Sequence, residues 1–250
     1  MRTLPDSSER RQRPQDRPAA VQVYARVAGV LFLLSILAGG FGEMYVPSKI
    51  IASADAAATA LNFKASESLF RIGFASYLIE AFCDVALAWA MYVLLRPVQK
   101  DVALLAAFFG LVSTALFGVG ELFYFATSLV LRDADYLKAF SQDQRNTLAL
   151  LSFKTYGLGG GIFMAFYGVA SMLRGYLIFR SGYLPRFLGV LLALAGLGFV
   201  VRNFLVVLAP KYVSGILVLP MLFAGVSLTV WFLAKGINLG KWEEKVAASE

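Results

Sequence analysis

The chain has 250 residues, of which 59% are hydrophobic and 16% charged, and its mean hydropathy is +0.69. A soluble domain holds roughly 45–50% apolar and about 25% charged residues, and a single core cannot hide so much apolar surface, so the composition excludes a soluble fold and implies a polytopic membrane protein. With no histidine and a single cysteine, Cys83, the chain has no His-ligated haem or zinc, no Ser-His-Asp or Cys-His catalysis and no intrachain disulfide.

Residues 1–23 are rich in Arg, Pro, Gln and Asp, and such a stretch cannot offset its ordering entropy, so a disordered cytoplasmic tail is predicted there. A transmembrane domain follows over 24–237. Its apolar segments predict spans at Val27–Val46, Arg71–Leu95, Val102–Leu131, Thr147–Phe179, Pro185–Ala209 and Val213–Lys235. Each has the ~20 residues needed to cross a hydrocarbon core about 30 Å thick. Continuous apolarity without period-two alternation predicts helices rather than a barrel. Ala38-Gly39-Gly40 resembles a signal-peptide cleavage site, but the tail before it is long and the apolar run continues to Val46, which favours a retained span. Between spans, alanine-rich Ser53–Lys64 with Asp55 near its start predicts a short helix. Asp133–Phe140 places Tyr136, Leu137 and Phe140 on one side, as in a helix lying on the interface. Ser141-Gln142-Asp143-Gln144 reads as a capping box opening the fourth span. A short charged cytoplasmic tail, 238–250, ends the chain. The expected fold class is therefore all-α: a transmembrane bundle of six spans.

Lys and Arg distribution sets orientation. Of the 23 basic residues, 14 fall on the side of the two termini, including Arg96, Lys100, Arg174, Arg180 and Arg186, and eight on the other. Both termini are thus expected to be cytoplasmic, and the +7 net charge reads as topology rather than as nucleic-acid binding. Tyr24, Trp89, Tyr92, Tyr176, Tyr183, Trp231 and Trp242 fall near the inner boundary, as an aromatic belt would. Small residues mark close helix packing: Gly157, Gly161 and Ala165 on span four, Gly189 and Ala193 on span five, Ala106 and Gly110 on span three. Gly157–Gly161 also offers a place for local unwinding around a ligand. Pro220 predicts a kink in span six.

Charges inside the spans are the most informative feature. Glu43, Glu80, Asp84, Glu121, Lys154 and Arg202 all lie in apolar segments, with Asn203 beside Arg202. A charge at the bilayer centre costs at least ~2.5–3.5 kcal/mol, so these side chains are expected to turn away from lipid and find one another, mostly in the outer half. Glu80 and Asp84 are four residues apart and share a helix face. Either one of them carries a proton, or a cation or an arginine compensates. Tyr156 is a candidate hydroxyl donor to the same region, as are Tyr124 and Tyr167, while Cys83 points elsewhere. Two readings stand side by side: a binding or proton-coupling cavity, and a structural ion-pair network such as Arg202 with Glu121 or Glu43.

The run Gly175-Tyr176-Leu177-Ile178-Phe179-Arg180-Ser181-Gly182-Tyr183-Leu184-Pro185-Arg186-Phe187-Leu188-Gly189 resembles the bacterial membrane family catalogued as domain of unknown function 4386. Cys83-Asp84-Val85-Ala86-Leu87-Ala88, Tyr92 to Val98, Asp55 to Thr59 and Ala134-Asp135-Tyr136-Leu137 are similar to it as well. The resemblance covers about residues 24–237 and implies a bacterial membrane protein of six or seven helices with no established activity. Family members often carry a histidine in span four, after a Phe-Phe-Gly-like motif. Phe166-Tyr167-Gly168-Val169-Ala170 lacks it, so no histidine-dependent mechanism is implied. The sequence thus reads as a protein of the bacterial inner membrane that binds or moves a small solute or proton through a polar cavity. A scaffold with buried ion pairs and an intramembrane carboxylate-dependent lipid enzyme are the alternatives. The bilayer is the expected partner, and no catalytic residue, metal or cofactor is expected.

Overall fold

The computed structural model describes residues 7–249, with side chains from residue 20 onward. Most of the predicted tail, 1–23, lies outside the residues with described side chains. The elements are α1 (Ser7–Gly39), a π-helical segment (Gly40–Tyr45), α2 (Val46–Ile50), α3 (Ala56–Ala65), α4 (Glu67–Leu95), α5 (Lys100–Leu131), α6 (Gln142–Ser181), α7 (Arg186–Leu208), α8 (Leu219–Ala234) and α9 (Leu239–Ala247). Six helical stretches are long and apolar enough to cross a membrane: 20–50, 67–95, 100–131, 142–181, 186–208 and 215–234. They overlap the six predicted spans one for one. No strand occurs among the described residues.

Local chemistry sets the ends. The Asp55 carboxylate accepts the Ala58 amide and opens α3. Ser141 and Gln144 form the reciprocal capping box that opens α6. Gly182, in the left-handed region at φ 76°, ends α6, and Gly236, at φ 69°, follows α8. Two expectations are corrected here. Pro220 does not kink a helix interior: the segment Gly215–Val218 is a 3-10 turn, and Pro220 sits in the first turn of α8, where its missing N–H has no partner to lose. Asp133–Phe140 holds only a 3-10 turn, Asp135–Leu137, and its apolar residues part company: Leu137 is buried while Tyr136 and Phe140 are exposed.

The spans pack in chain order around a ring, α1 on α4, α4 on α5, α5 on α6, α6 on α7, α7 on α8, with α8 closing back on α1. The two ends of the described chain meet on one face, where Gln22 donates to Lys235 O and accepts from Ile237 N. The α6–α7 contact is a glycine zipper at seven-residue spacing. A Cβ on Gly175 would stand 2.6 Å from Gly189 O, and one on Gly168 would stand 2.6 Å from Gly196 O. Backbones approach this closely only where side chains are absent. Of the small residues singled out from sequence, Gly189 belongs to this zipper, while Gly157 faces open space. α6 is continuous through Gly157–Gly161, so no local unwinding occurs there.

Two apolar cores fill the ring. The one nearer the chain ends includes Phe32, Leu87, Met91, Leu94, Leu177, Leu188 and Phe232. The other includes Val46, Phe63, Phe70, Tyr77, Phe117, Tyr124 and Phe153. Helix α9 folds back under the first core: Trp242 is buried, and its indole N–H donates to Leu94 O at 3.3 Å. Tyr183 donates to the same carbonyl at 2.7 Å.

Candidate functional site

A polar layer lies where these two cores meet. On α4, Tyr77, Glu80 and Asp84 recur at three- and four-residue spacing and so share one face. Buried Phe70 continues that face toward the outer core, and buried Leu87, Met91 and Leu94 continue it toward the inner one. α5 repeats the order with Ala103 and Ala106 on the inner side and Phe117, Glu121 and Tyr124 on the outer. α6 does so with Leu177, then Arg174, Ser171 and Tyr167, and finally Tyr156 and Phe153. The layer is therefore written into three helices at matching depth.

Helix α1 reaches the layer through its π segment. A π turn carries an extra residue per turn and loosens the carbonyl ladder. Here the Tyr77 hydroxyl donates to Gly42 O at 2.7 Å and lies 2.9 Å from the Tyr156 hydroxyl. With its own proton committed to Gly42, Tyr77 accepts from Tyr156. Gly39 leaves no side chain between α1 and Glu80, since a Cβ there would stand 2.8 Å from Glu80 Oε1. Glu43, inside the π segment, is an electrostatic neighbour of Glu80, Asp84 and Glu121. Glu121 is 5% exposed and Tyr124 fully buried. Glu80 Oε2, both Glu121 carboxylate oxygens and the Tyr124 hydroxyl are buried with no hydrogen-bond partner among the described residues. Tyr124 packs edge-on against Tyr77 and Tyr156, with ring centroids 5.2 and 5.3 Å apart.

The inner end of the layer is built around Asp84. Its Oδ1 accepts the Ser35 hydroxyl at 2.9 Å. Asp84, Gly110, Thr114, Tyr167 and Arg174 surround a space of about 10 Å³, close to the smallest that admits one water. Arg174 is 5% exposed. It passes α5 at Gly110, where a Cβ would stand 2.5 Å from Arg174 Nη2.

The structure thus brings together Glu43, Glu80, Asp84, Glu121 and Tyr156 from the sequence-derived candidates. It places Lys154, Arg202 and Asn203 elsewhere. Lys154 is exposed, beside Ile51, Ser53 and Phe153. Arg202 is half-buried on α7. Asn203 donates to Phe199 O at 2.8 Å, and its Oδ1 faces Gly161 across the α6–α7 seam. Arg202 pairs with neither Glu121 nor Glu43. Among the described residues the side-chain ion pairs are Arg71–Glu67 and Lys138–Asp135, both on the surface. Arg174 is a correction: counted from sequence among the topology-setting basic residues on the side of the termini, it is instead the buried arginine of the layer. Tyr77 and Ser35 were missed as well. The signal for Arg174 was the 167–171–174 spacing, which aligns Tyr, Ser and Arg on one helix face.

The family model described as "Domain of unknown function (DUF4386)" matches residues 27–236. The chain belongs to the DUF4386 family. The match takes in all six membrane-crossing helices and the whole polar layer. An uncharacterized protein of Archaeoglobus fulgidus is 31% identical over 118 residues, which are 47% of this chain and 57% of that protein. The aligned stretch thus spans little more than half the length of that relative. No solved structure matches. The DUF4386 chain described here is therefore a multi-pass membrane protein whose family carries no assigned activity.

Proposed function

We propose that this DUF4386 protein binds and moves small positive charges, protons foremost, at the layer formed by Glu43, Glu80, Asp84 and Glu121, with Tyr156 and Tyr124 lining it and Arg174 bounding it. One observation carries the reading: four acidic side chains from three separate elements are electrostatic neighbours, with a single buried arginine beside Asp84. With every acid ionised, four negative charges would meet one positive, and the difference of three can be filled only by protons or cations. Carboxylates at this depth are costly unless they do work. The water-sized space beside Asp84 favours a proton over a larger solute. The orphan oxygens of Glu80 and Glu121 are acceptors, which suits a positive ligand rather than an anion. In this reading charge reaches the layer from the side away from the chain termini, which is the outside with the termini cytoplasmic in the inner membrane of a bacterium.

The test uses the purified protein in vesicles of Escherichia coli polar lipid with an imposed pH gradient, a trapped pH dye and valinomycin with potassium to clamp the potential. The expected result is protein-dependent proton movement that falls at least tenfold in Glu80→Gln. Flux indistinguishable from empty vesicles refutes the proposal. The scaffold reading has one observation of its own, the approach of Arg174 to Asp84. If the pair only fixes helix packing, Asp84→Asn/Arg174→Met regains the stability lost in each single variant and keeps the flux unchanged.

A further inference from the structure

The face that carries both chain ends holds a groove of about 690 Å³. Its walls come from three places: Val21 and Tyr24 of α1, the turn from Arg96 to Lys100 between α4 and α5, and Trp242 and Val246 of α9. The lining is mixed in chemistry. Val21, Val93, Val98 and Val246 are apolar, and Arg96 and Lys100 are basic. No acidic side chain lines it among the described residues, and neither Arg96 nor Lys100 has an ion pair there. Tyr24 stands edge-on to Trp89 at 5.3 Å, about two helical turns before exposed Arg96 ends α4. Amphipathic aromatics mark the boundary of the bilayer.

We propose that this groove is a binding site for an anionic phospholipid, with the phosphate held between Arg96 and Lys100 and the first acyl methylenes laid along the valines. Volume, polarity and depth all fit. Ligand sites of this kind run from about 300 to 1,000 Å³, and basic pockets between helices at the membrane boundary select anionic headgroups. A free anion would leave the apolar wall uncovered. The chain's own first 18 residues are a poor match in charge, since five arginines there outweigh three acids. This site is separate from the carboxylate layer and does not depend on what that layer does.

Trp242 supplies the readout. In a Trp89→Phe/Trp231→Phe protein it is the one remaining tryptophan, and lipids brominated on their acyl chains quench it on contact. The protein is reconstituted in phosphatidylcholine vesicles containing rising fractions of brominated phosphatidylglycerol or, in parallel, of brominated phosphatidylcholine. Half-maximal quenching is expected at a phosphatidylglycerol fraction at least fivefold lower than for phosphatidylcholine, with the difference lost in Arg96→Gln/Lys100→Gln. Equal quenching by the two lipids overturns the proposal without recourse to any charge variant. So does a preference that survives the double substitution, because the charge reading the headgroup then lies elsewhere. Relief of quenching by millimolar inorganic phosphate also overturns it, since the site would then take a soluble anion.

Discussion

Gly189→Ala tests the α6–α7 zipper most directly. A Cβ at this position would stand 2.6 Å from Gly175 O, 2.6 Å from Phe179 N and 3.1 Å from Phe179 Cα. All three are backbone atoms, so no side chain can swing aside. Restoring ordinary contact of about 3.5–4.0 Å requires α6 and α7 to part by roughly 1 Å along their seam. Overpacking of this kind costs about 1–3 kcal/mol. Replacing a helical glycine with alanine returns up to about 1 kcal/mol, which leaves a net loss of up to about 2 kcal/mol, as much as roughly 30-fold in the folded fraction. Gly157→Ala is the matched control. Nothing lies within 4 Å of its Cβ, so only the gain in helix propensity acts and the sign reverses. The assay is unfolding in dodecyl maltoside by added SDS, followed by far-UV circular dichroism. Gly175→Ala opens the same seam, so the double variant is expected to lose less than the sum of its parts. A Gly189→Ala protein that unfolds at the wild-type SDS fraction, or a Gly157→Ala protein that loses as much, would show that close backbone approach is not what joins these helices.

Asp55→Ala removes the cap of α3 and is expected to cost about 0.5–2 kcal/mol, read in the same SDS titration; no change would mean the cap is replaced by solvent. Tyr183→Phe deletes the 2.7 Å donor to Leu94 O and leaves only the weaker Trp242 contact, at about 1 kcal/mol. Burial pushes the Tyr183 hydroxyl above the ordinary tyrosine range. A raised acid in the folded state keeps its full stabilisation below its unfolded value, near 10, and loses it as pH climbs beyond that point. The wild type is therefore expected to lose stability above about pH 10 more steeply than Tyr183→Phe, measured by SDS unfolding in alkaline buffers. Gly110→Ala puts a methyl where Arg174 Nη2 now lies. The guanidinium must then shift within the layer, and proton flux in vesicles is expected to change at least fivefold while helix content stays constant. Unchanged flux would remove Arg174 from the proposed pathway.

The six spans were legible because apolar composition is a property of the whole segment and needs no knowledge of neighbours. The caps at Asp55 and Ser141 were legible because each is a bond between residues three apart. Arg174 was not, and the reason is geometric. It lies seven residues before Ser181, about 10 Å along the helix, a distance at which an arginine can either snorkel to the interface or turn inward. Only the gap that Gly110 leaves on the neighbouring helix decides between these, and nothing local to Arg174 records that gap. Pro220 misled for a related reason. An apolar run does not reveal whether a proline falls in a helix interior or in its first turn. Lys154 and Arg202 were read from their depth along their helices, but depth is one coordinate of three. The direction each faces around its helix axis depends on how the ring closes.

The two cores bear on what the polar layer can do. On the side of the termini, Leu87, Met91, Leu94, Leu177 and Ile178 are all at most 4% exposed, and together they form a dry plug beneath Asp84 and Arg174. On the opposite side the layer is flanked by tyrosines, whose hydroxyls at Tyr77 and Tyr156 already form a short hydrogen-bonded chain ending on the Gly42 carbonyl. A charge at Glu80 therefore has the Tyr77 and Tyr156 hydroxyls on one side and Asp84, Ser35 and Arg174 on the other, with hydrocarbon beyond the latter. Transfer across the whole bundle would need α4 and α6 to part below Arg174, where the α6–α7 zipper fixes one of the two.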